Sequence, residues 1–319
     1  MKSLAKALRG NFTIINLGAA GDNDYNLPQK IRRSLTVFEI DAATKSRTGN
    51  NYYQRYAITN IVAGSKGRRK LFVHRNPQNT SLLPPRPELI VQYGLENDYT
   101  LEEEKEVECT TIPEILQQHQ ITHCDYLKTD IEGVDFEVLK NMGESLRNVL
   151  VISSELRFQP FYQGEPYFHE VVAYLHDQGF EIIGMDAEYW RPKTPNWRRH
   201  IDGRITYCDA VFFKKSDFIR NLTAQERPLL WAKQIVLACM LGQKSHAEYI
   251  LMGCQNELPA EWIPELKALA TPRFGTFVMR TIMMAIRYVL RFSTRKRHSI
   301  IIKSCRDEFY LGGPSRNPG

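Results

Sequence analysis

The chain has 319 residues, of which 43% are hydrophobic and 24% are charged, and its mean hydropathy is −0.39. These values exclude a disordered protein and a polytopic membrane protein, and the length suffices for one large domain or two moderate ones. The formal net charge is +6. Nine Lys or Arg and no acidic residue fall within 271–306, so the positive excess is local and does not mark the whole chain as a nucleic-acid binder.

The N-terminal sequence has no long apolar segment followed by a small-residue cleavage site, so we expect no signal peptide. The six cysteines are scattered without a C-x-x-C pair. This spacing favours reduced, packed thiols over a zinc site. Together these features predict a cytoplasmic protein.

Apolar segments between residues 12 and 215 alternate with helical patterns. The sequence predicts eight strands, namely 12–17, 36–41, 53–64, 68–75, 123–133, 148–156, 180–186 and 205–215. We expect 68–75 to pair with 53–64 across Gly64–Gly67. The intervening helices, predicted at 28–35, 111–119, 134–146 and 166–180, imply a mostly parallel sheet with right-handed crossovers. The last strand follows a loop without an obvious helix and is expected to be antiparallel.

Three further segments complete the predicted organisation. Residues 76–88 (NPQNTSLLPPRPE) are too rich in Pro and Asn for a regular element and are expected to lie over the site. Residues 102–106 (EEEKE) are interpreted as a solvated charge run. Only helical patterns follow residue 217, and we therefore divide the chain into a domain at 1–218 and a basic helical extension at 219–319.

The first strand runs into a turn of small residues, Asn16–Gly21, followed by a helix. Such a turn lets a cofactor lie against exposed backbone N–H groups, although a tight turn without a ligand has the same pattern. Glu39 and Asp41 follow Gly18 by 21 and 23 residues, which is the distance at which such folds place a carboxylate for ribose hydroxyls. Asp22 at the helix entry would repel a pyrophosphate, which favours S-adenosylmethionine over NAD.

Five segments in this order, IINLGAAGD, VFEID, TTIPEIL, LKTDIEGVDFEVLKNM and VISSEL, resemble the FkbM-type methyltransferases. The resemblance spans residues 12–214, and its most specific part is Leu127–Gly133. It implies a Rossmann-like methyltransferase fold of class α/β, with about seven mostly parallel strands before the helical extension. It also implies S-adenosylmethionine as cofactor and O-methylation of a hydroxyl on a sugar, glycan or small metabolite.

The resemblance also implies a set of cofactor-binding residues, which are Asn16, Gly18, Ala19, Gly21, Glu39, Ile40, Val62, Ala63 and Ser81. Gly18 and Gly21 would line the methionine side, and Glu39 would bind the ribose. Val62 and Ala63 would lie near the adenine. The chain departs from the family in having Asn16 in place of aspartate. It also has Asp41 shortly after Glu39, so the two carboxylates are rivals for the ribose.

The segment that ends the strand at 123–133 supplies the predicted catalytic residues Asp130, Glu132 and Lys128. Asp130 is the leading base or hydroxyl anchor, because it lies at the carboxyl end of a central strand, where α/β folds bind ligands. Glu132 is a second acceptor or merely a helix-entry residue, and Lys128 is a charge partner. Asp130 and Glu155 would suit a divalent cation, but the spacing does not demand one, and we predict no metal.

The segment 273–298 combines an arginine stripe with apolar residues at helical spacing. It is interpreted either as a helix packed on the protein or as a peripheral contact with an anionic membrane; nucleic acid is the least favoured partner. The oligomeric state is left open. Two other functions remain as alternatives, a non-catalytic cofactor-fold module in a membrane-surface glycan-assembly complex and an NAD-dependent oxidoreductase.

Overall fold

The computed structural model describes residues 2–18, 25, 27–41, 52–195 and 203–271. Of the residues singled out in the sequence, Ala19, Gly21, Asp22 and the basic segment 273–298 lie outside these ranges. None of the helices within the described ranges combines the length and the apolar character that crossing a bilayer requires.

The chain contains strands and helices up to residue 214, and only helices follow within the described residues up to 271. The strands are β1 (Thr13–Leu17), β2 (Thr36–Ile40), β3 (Gln54–Ile58), β4 (Ile61–Val62), β5 (Gly67–His74), β6 (Leu101–Thr110), β7 (Tyr126–Thr129), β8 (Val151–Arg157), β9 (Phe180–Trp190) and β10 (Arg204–Lys214). The α-helices are α1 (Lys2–Leu8), α2 (Gln29–Arg32), α3 (Pro87–Tyr93), α4 (Ile112–Gln118), α5 (Asp135–Asn141), α6 (Glu144–Arg147), α7 (Phe168–Asp177), α8 (Ser216–Arg220), α9 (Arg227–Met240), α10 (Lys244–Cys254) and α11 (Trp262–Ala270).

Seven strands form the main sheet in the order β3-β2-β1-β7-β8-β10-β9. The first five of these are parallel to one another, whereas β10 runs antiparallel to both β8 and β9. The predicted α/β fold with a mostly parallel sheet and an antiparallel last strand is therefore confirmed. The strand order reverses between β1 and β7, and this reversal leaves a crevice at their carboxyl ends, where ligands bind in such sheets.

Side-chain alternation along the central strands builds a core on each face of the sheet. On β1, Ile14 packs in one cluster with α1 and α9, and Ile15 packs in the other with α4 and α5. Helices α9 to α11 belong to the first of these clusters, so the helices after residue 218 bury the same sheet face as α1. The division of the chain at 218 into separate domains stays a prediction.

A small second sheet, in the order β4-β6-β5, corrects two predictions. The predicted strand 53–64 is split, because β3 ends at Ile58 in the main sheet and β4 pairs with β6. The expected partner of 68–75 was also wrong, since β5 pairs antiparallel with β6, which contains the acidic run 102–106. Opposite charges explain this pairing: Arg68 lies 2.7 Å from Glu108, directly opposite it in the register.

A buried ion pair joins α9 to the sheet. The Lys233 Nζ atom lies 2.8 Å from Asp125 Oδ1, and the two side chains are only 5% and 3% exposed. The other oxygen of Asp125 accepts a hydrogen bond of 2.8 Å from the Thr13 backbone N–H at the start of β1. Because both charges are out of water, each depends on the other for compensation.

We expect Lys233→Met to lower the free energy of unfolding by about 3–5 kcal/mol, because it removes the buried lysine that pairs with the Asp125 carboxylate and leaves only His123 near that charge. Urea unfolding followed by circular dichroism measures this loss. Arg68→Met is the matched control, since it removes a cation from an ion pair that water screens. Equal losses in the two variants would contradict the prediction.

Candidate active site

A cavity of about 910 Å³ opens at the carboxyl edge of the main sheet. Its wall contains Leu17 and Gly18 after β1, Ile40 and Asp41 at the end of β2, and residues that follow β7 and β8. Residues 76–82 close it from above, as predicted for the Pro- and Asn-rich segment. The cavity therefore occupies the crevice that the strand order creates.

Gly18 lies in close contact with the residue that ends β7. Its φ is +74°, and a Cβ atom at this position would lie 1.9 Å from the Asp130 carbonyl oxygen. Any side chain would thus both strain the backbone and collide with a neighbouring main chain. The bare turn predicted from the sequence is required here by a contact between two strand ends.

The predicted cofactor residues divide between the cavity wall and the layer behind it. Gly18, Ile40, Val62 and Ser81 line the cavity. Ala63 is fully buried and packs with Leu82, Cys109 and Val134, so it supports the wall without being part of the described lining.

Glu39 and Ile40 point to opposite faces of the sheet because they are neighbours on a strand. Glu39 is 3% exposed and receives two hydrogen bonds from the Arg55 guanidinium, of 2.7 and 3.0 Å. Asp41, its rival for the ribose in the sequence, lies on the cavity wall. The two rivals are therefore in different environments, and the assignment of the ribose to Glu39 stays a prediction.

Asn16 is fully buried, yet neither atom of its side-chain amide has a hydrogen-bond partner within the described residues. In the strand register it lies between Glu39 on β2 and Lys128 on β7. An unpaired buried amide costs about 1–3 kcal/mol, so the position favours a polar group that the protein part described does not supply. This orphaned amide lies one residue before the bare turn at Leu17–Gly18. A polar substituent of a bound cofactor would supply the hydrogen-bond partner that the amide lacks.

The structure brings together the predicted catalytic residues Asp130, Glu132 and Lys128, and it adds Glu155 to them. The carboxylate oxygens of Asp130, Glu132 and Glu155 lie within 4.8 Å of one another. Lys128 Nζ is 3.2 Å from Asp130 Oδ2, and Asp130 keeps 38% of its side chain exposed to the cavity. The spacing of the three carboxylates would admit a cation, but a guanidinium already contacts two of them, and the prediction of no metal remains a prediction.

Glu132 has an unusual backbone conformation for a residue with a side chain, with φ at +51°. Its carbonyl oxygen accepts a hydrogen bond of 2.5 Å from the Ser81 hydroxyl. The Tyr162 hydroxyl lies 3.0 Å from its carboxylate. Left-handed conformations of non-glycine residues persist only where the surroundings fix them, and they cluster at functional sites. Ser81 thus connects the loop above the cavity to the predicted catalytic turn.

Sequence reasoning missed Arg157, which supplies that guanidinium. Its Nη2 atom lies 2.9 Å from Glu132 and 2.5 Å from Glu155, and its Nε atom lies 3.2 Å from Glu165. Although burial alone would lower it, the carboxylates of Glu155, Glu132 and Glu165 raise the pKa of Arg157. The signal in the sequence was the spacing of Glu155 and Arg157, two apart on one strand and hence on one face.

Burial raises the pKa of both Glu132 and Glu155, and the neighbouring Arg157 opposes that rise. The site therefore places carboxylates that can accept a proton next to a bare backbone turn. This combination suits a reaction in which a hydroxyl loses its proton beside a bound cofactor.

Comparison with known proteins identifies the family of this chain. The family model of the methyltransferase FkbM domain matches residues 11–182, more than half of the chain. No curated protein matches the sequence. A solved structure from Streptococcus pneumoniae, that of Sp1610, a candidate tRNA (m1A22) methyltransferase, is similar at 11% identity over 84% of this chain and 91% of its own, but its TM-score of 0.26 is too low to carry an argument. On the family match, this chain belongs to the FkbM methyltransferases.

Proposed function

We propose that the protein transfers a methyl group from S-adenosylmethionine to a hydroxyl oxygen of an uncharged small molecule or glycan. Membership of the methyltransferase family supplies the reaction class and the cofactor. The contact between Gly18 and Asp130 supports the placement of the methyl donor beside a proton acceptor, because it brings the bare turn and the carboxylates to one cavity. When bound, S-adenosylmethionine supplies an electrophilic sulfonium methyl group.

The half of the cavity beside β1 and β2 would hold the adenosyl group. The exposed backbone at Gly18 allows close approach, and Ile61 and Val62 offer an apolar wall for the adenine. Asp41 lies on this wall, so we favour it over Glu39 as the carboxylate that binds the ribose. The orphaned amide of Asn16 would pair with a polar group at this end of the site.

The half beside β7 and β8 would hold the acceptor. Asp130 accepts the proton of the acceptor hydroxyl while the oxygen attacks the methyl carbon, the carbon–sulfur bond breaks, and S-adenosylhomocysteine leaves. Lys128 pairs with Asp130 and orients it. Glu132 offers a second acceptor for hydroxyl hydrogens of the same substrate.

The charges of the cavity favour an acceptor without phosphate. Five acidic and three basic side chains line its described part, and these are Asp41, Asp98, Asp130, Glu132 and Glu155 against Lys105, Lys128 and Arg157. Arg157 is already shared by carboxylates, so it is not available to an anion. A negative cavity suits the positive sulfonium of S-adenosylmethionine and disfavours the pyrophosphate of NAD.

Isothermal titration calorimetry is expected to detect binding of S-adenosylmethionine and no binding of NAD to the wild-type protein. Gly18→Ala is expected to weaken the binding at least about tenfold, which is 1.4 kcal/mol, because the new methyl group collides with the Asp130 main chain. The control is Gly164→Ala, where φ is also positive, at +81°, and no atom lies within 4 Å of the added carbon. A wild-type protein that fails to bind S-adenosylmethionine would overturn the proposed function.

Asp130→Asn is expected to leave the affinity for S-adenosylmethionine unchanged and to lower turnover by about 10²–10⁴-fold, because the amide cannot accept the hydroxyl proton. Formation of S-adenosylhomocysteine with a methylated sugar or alcohol from an acceptor panel measures turnover. Asp217→Asn, at an exposed position on α8, serves as the control. Wild-type turnover in Asp130→Asn would refute the assignment. Cofactor binding without transfer to any acceptor would favour a non-catalytic module.

We expect methyl glycosides to be methylated in preference to the same sugars carrying a phosphate group, because each cation on the described lining of the cavity already pairs with a carboxylate. Transfer of radioactive methyl from S-adenosylmethionine to paired acceptors tests this. Faster transfer to the phosphorylated member of a pair would contradict an uncharged acceptor.

A further inference from the structure

Arg157 lies at the centre of the polar groups beside the acceptor half of the cavity, although no part of the reaction described so far requires it. Its side chain is only 6% exposed. Its Nη2 atom bridges Glu132 and Glu155, and the ring of Tyr207 lies 5.0 Å from the centre of its guanidinium. A planar guanidinium held on several sides has little freedom to move, which distinguishes it from a flexible lysine.

Glu165 fixes the opposite edge of that guanidinium. One of its oxygens accepts from Arg157 Nε at 3.2 Å, and the other accepts from the backbone N–H groups of Phe161 and Tyr162 at 2.7 and 3.1 Å. Glu165 is 4% exposed, so these bonds are shielded from water. Glu165, in the segment after β8, therefore fixes both the Arg157 guanidinium and the backbone at Phe161 and Tyr162.

The same segment reaches the loop above the cavity. The Tyr162 hydroxyl lies within hydrogen-bond distance of Glu132 Oε2 at 3.0 Å and of the Asn79 carbonyl oxygen at 3.1 Å. The Gln163 N–H donates to the Pro84 carbonyl oxygen at 2.9 Å. Glu132 is thus contacted from β8, from the segment after it and, through Ser81, from the loop.

We propose that Arg157 is a positioning residue, which holds the carboxylates of Glu132 and Glu155 against the acceptor side of the cavity while Glu165 holds Arg157. The inference rests on the proposed function for the identity of that side. Arg157 itself is not expected to bind the acceptor, since its Nη2 and Nε atoms already contact three carboxylates. The left-handed conformation of Glu132 is maintained because its carboxylate and its carbonyl are both bound.

The charges that face Glu132 determine how the proposal is tested. Arg157 is the cation in contact with Glu132, whereas Asp130, Glu155 and Glu165 are anionic neighbours and Tyr162 is a hydrogen-bond donor. Loss of the guanidinium would leave Glu132 buried among like charges, which disfavours its ionised form. The proton affinity of Glu132 is therefore a direct measure of its contact with Arg157.

The test is a pH titration by nuclear magnetic resonance of protein labelled with ¹³C at the glutamate carboxyl carbon. The resonance of Glu132 is identified by its absence in Glu132→Gln. In Arg157→Met we expect the titration midpoint of Glu132 to rise by about 1–3 pH units. In Arg157→Lys we expect a smaller rise, because an ammonium ion keeps the charge but cannot bridge both carboxylates.

Arg68→Met is the matched control, since it makes the same chemical change on the exposed strand β5, and it should leave the midpoint of Glu132 unchanged. A folded Arg157→Met protein with an unchanged midpoint would overturn the proposal. If that variant does not fold, Arg157→Lys decides, and an unchanged midpoint there has the same meaning. The titration needs no cofactor, so failure of wild-type protein to bind S-adenosylmethionine would count against the proposed function alone.

Discussion

The contact between Gly18 and the Asp130 main chain determines the geometry of the whole site. A hydrogen atom in place of a side chain lets the end of β1 approach the end of β7 until a Cβ atom would lie 1.9 Å from a carbonyl oxygen. The reversal of strand order occurs between these two strands, so the crevice and the closest approach coincide. One residue type at one position therefore decides whether a bare backbone and a carboxylate border the same cavity.

Around that contact, the protein accumulates negative charge and compensates it with very few cations. Asp130 has Lys128, and three other carboxylates share Arg157. Buried charges of this kind are costly unless each one is paired, so the arrangement constrains every member. The constraint reaches the loop above the cavity through Tyr162 and Ser81, which contact opposite ends of Glu132. The carboxylate cluster and the loop over the cavity are in this way parts of one hydrogen-bonded network.

Sequence reasoning succeeded where a local pattern has one physical solution. Alternating apolar strands and amphipathic helices predicted the seven-stranded sheet, and Gly18 lines a cavity at the sheet edge where the sequence predicts the cofactor. It failed where an interaction joins residues that are far apart in the sequence. The acidic run at 102–106 is solvated, as expected, but it is also a strand, because Arg68 and its neighbours on β5 offer complementary charge. Arg157 was missed for the same reason, since its partner Glu132 lies 25 residues away.

The sequence by itself determined the fold class, the family resemblance and the identity of Asp130, Glu132 and Lys128 as a group, because these depend on periodicity and on a contiguous motif. Only the tertiary structure decided that Asp41 lines the cavity while Glu39 pairs with Arg55, and that the Asn16 side chain is buried with no hydrogen-bond partner among the described residues. Alternation along a strand would place Glu39 and Asp41 on the same face, so the sequence could not separate them. Their environments differ because β2 ends at Ile40, before Asp41, and because Arg55 on the neighbouring strand β3 contacts Glu39. Which side becomes the cavity depends on how distant segments pack against it.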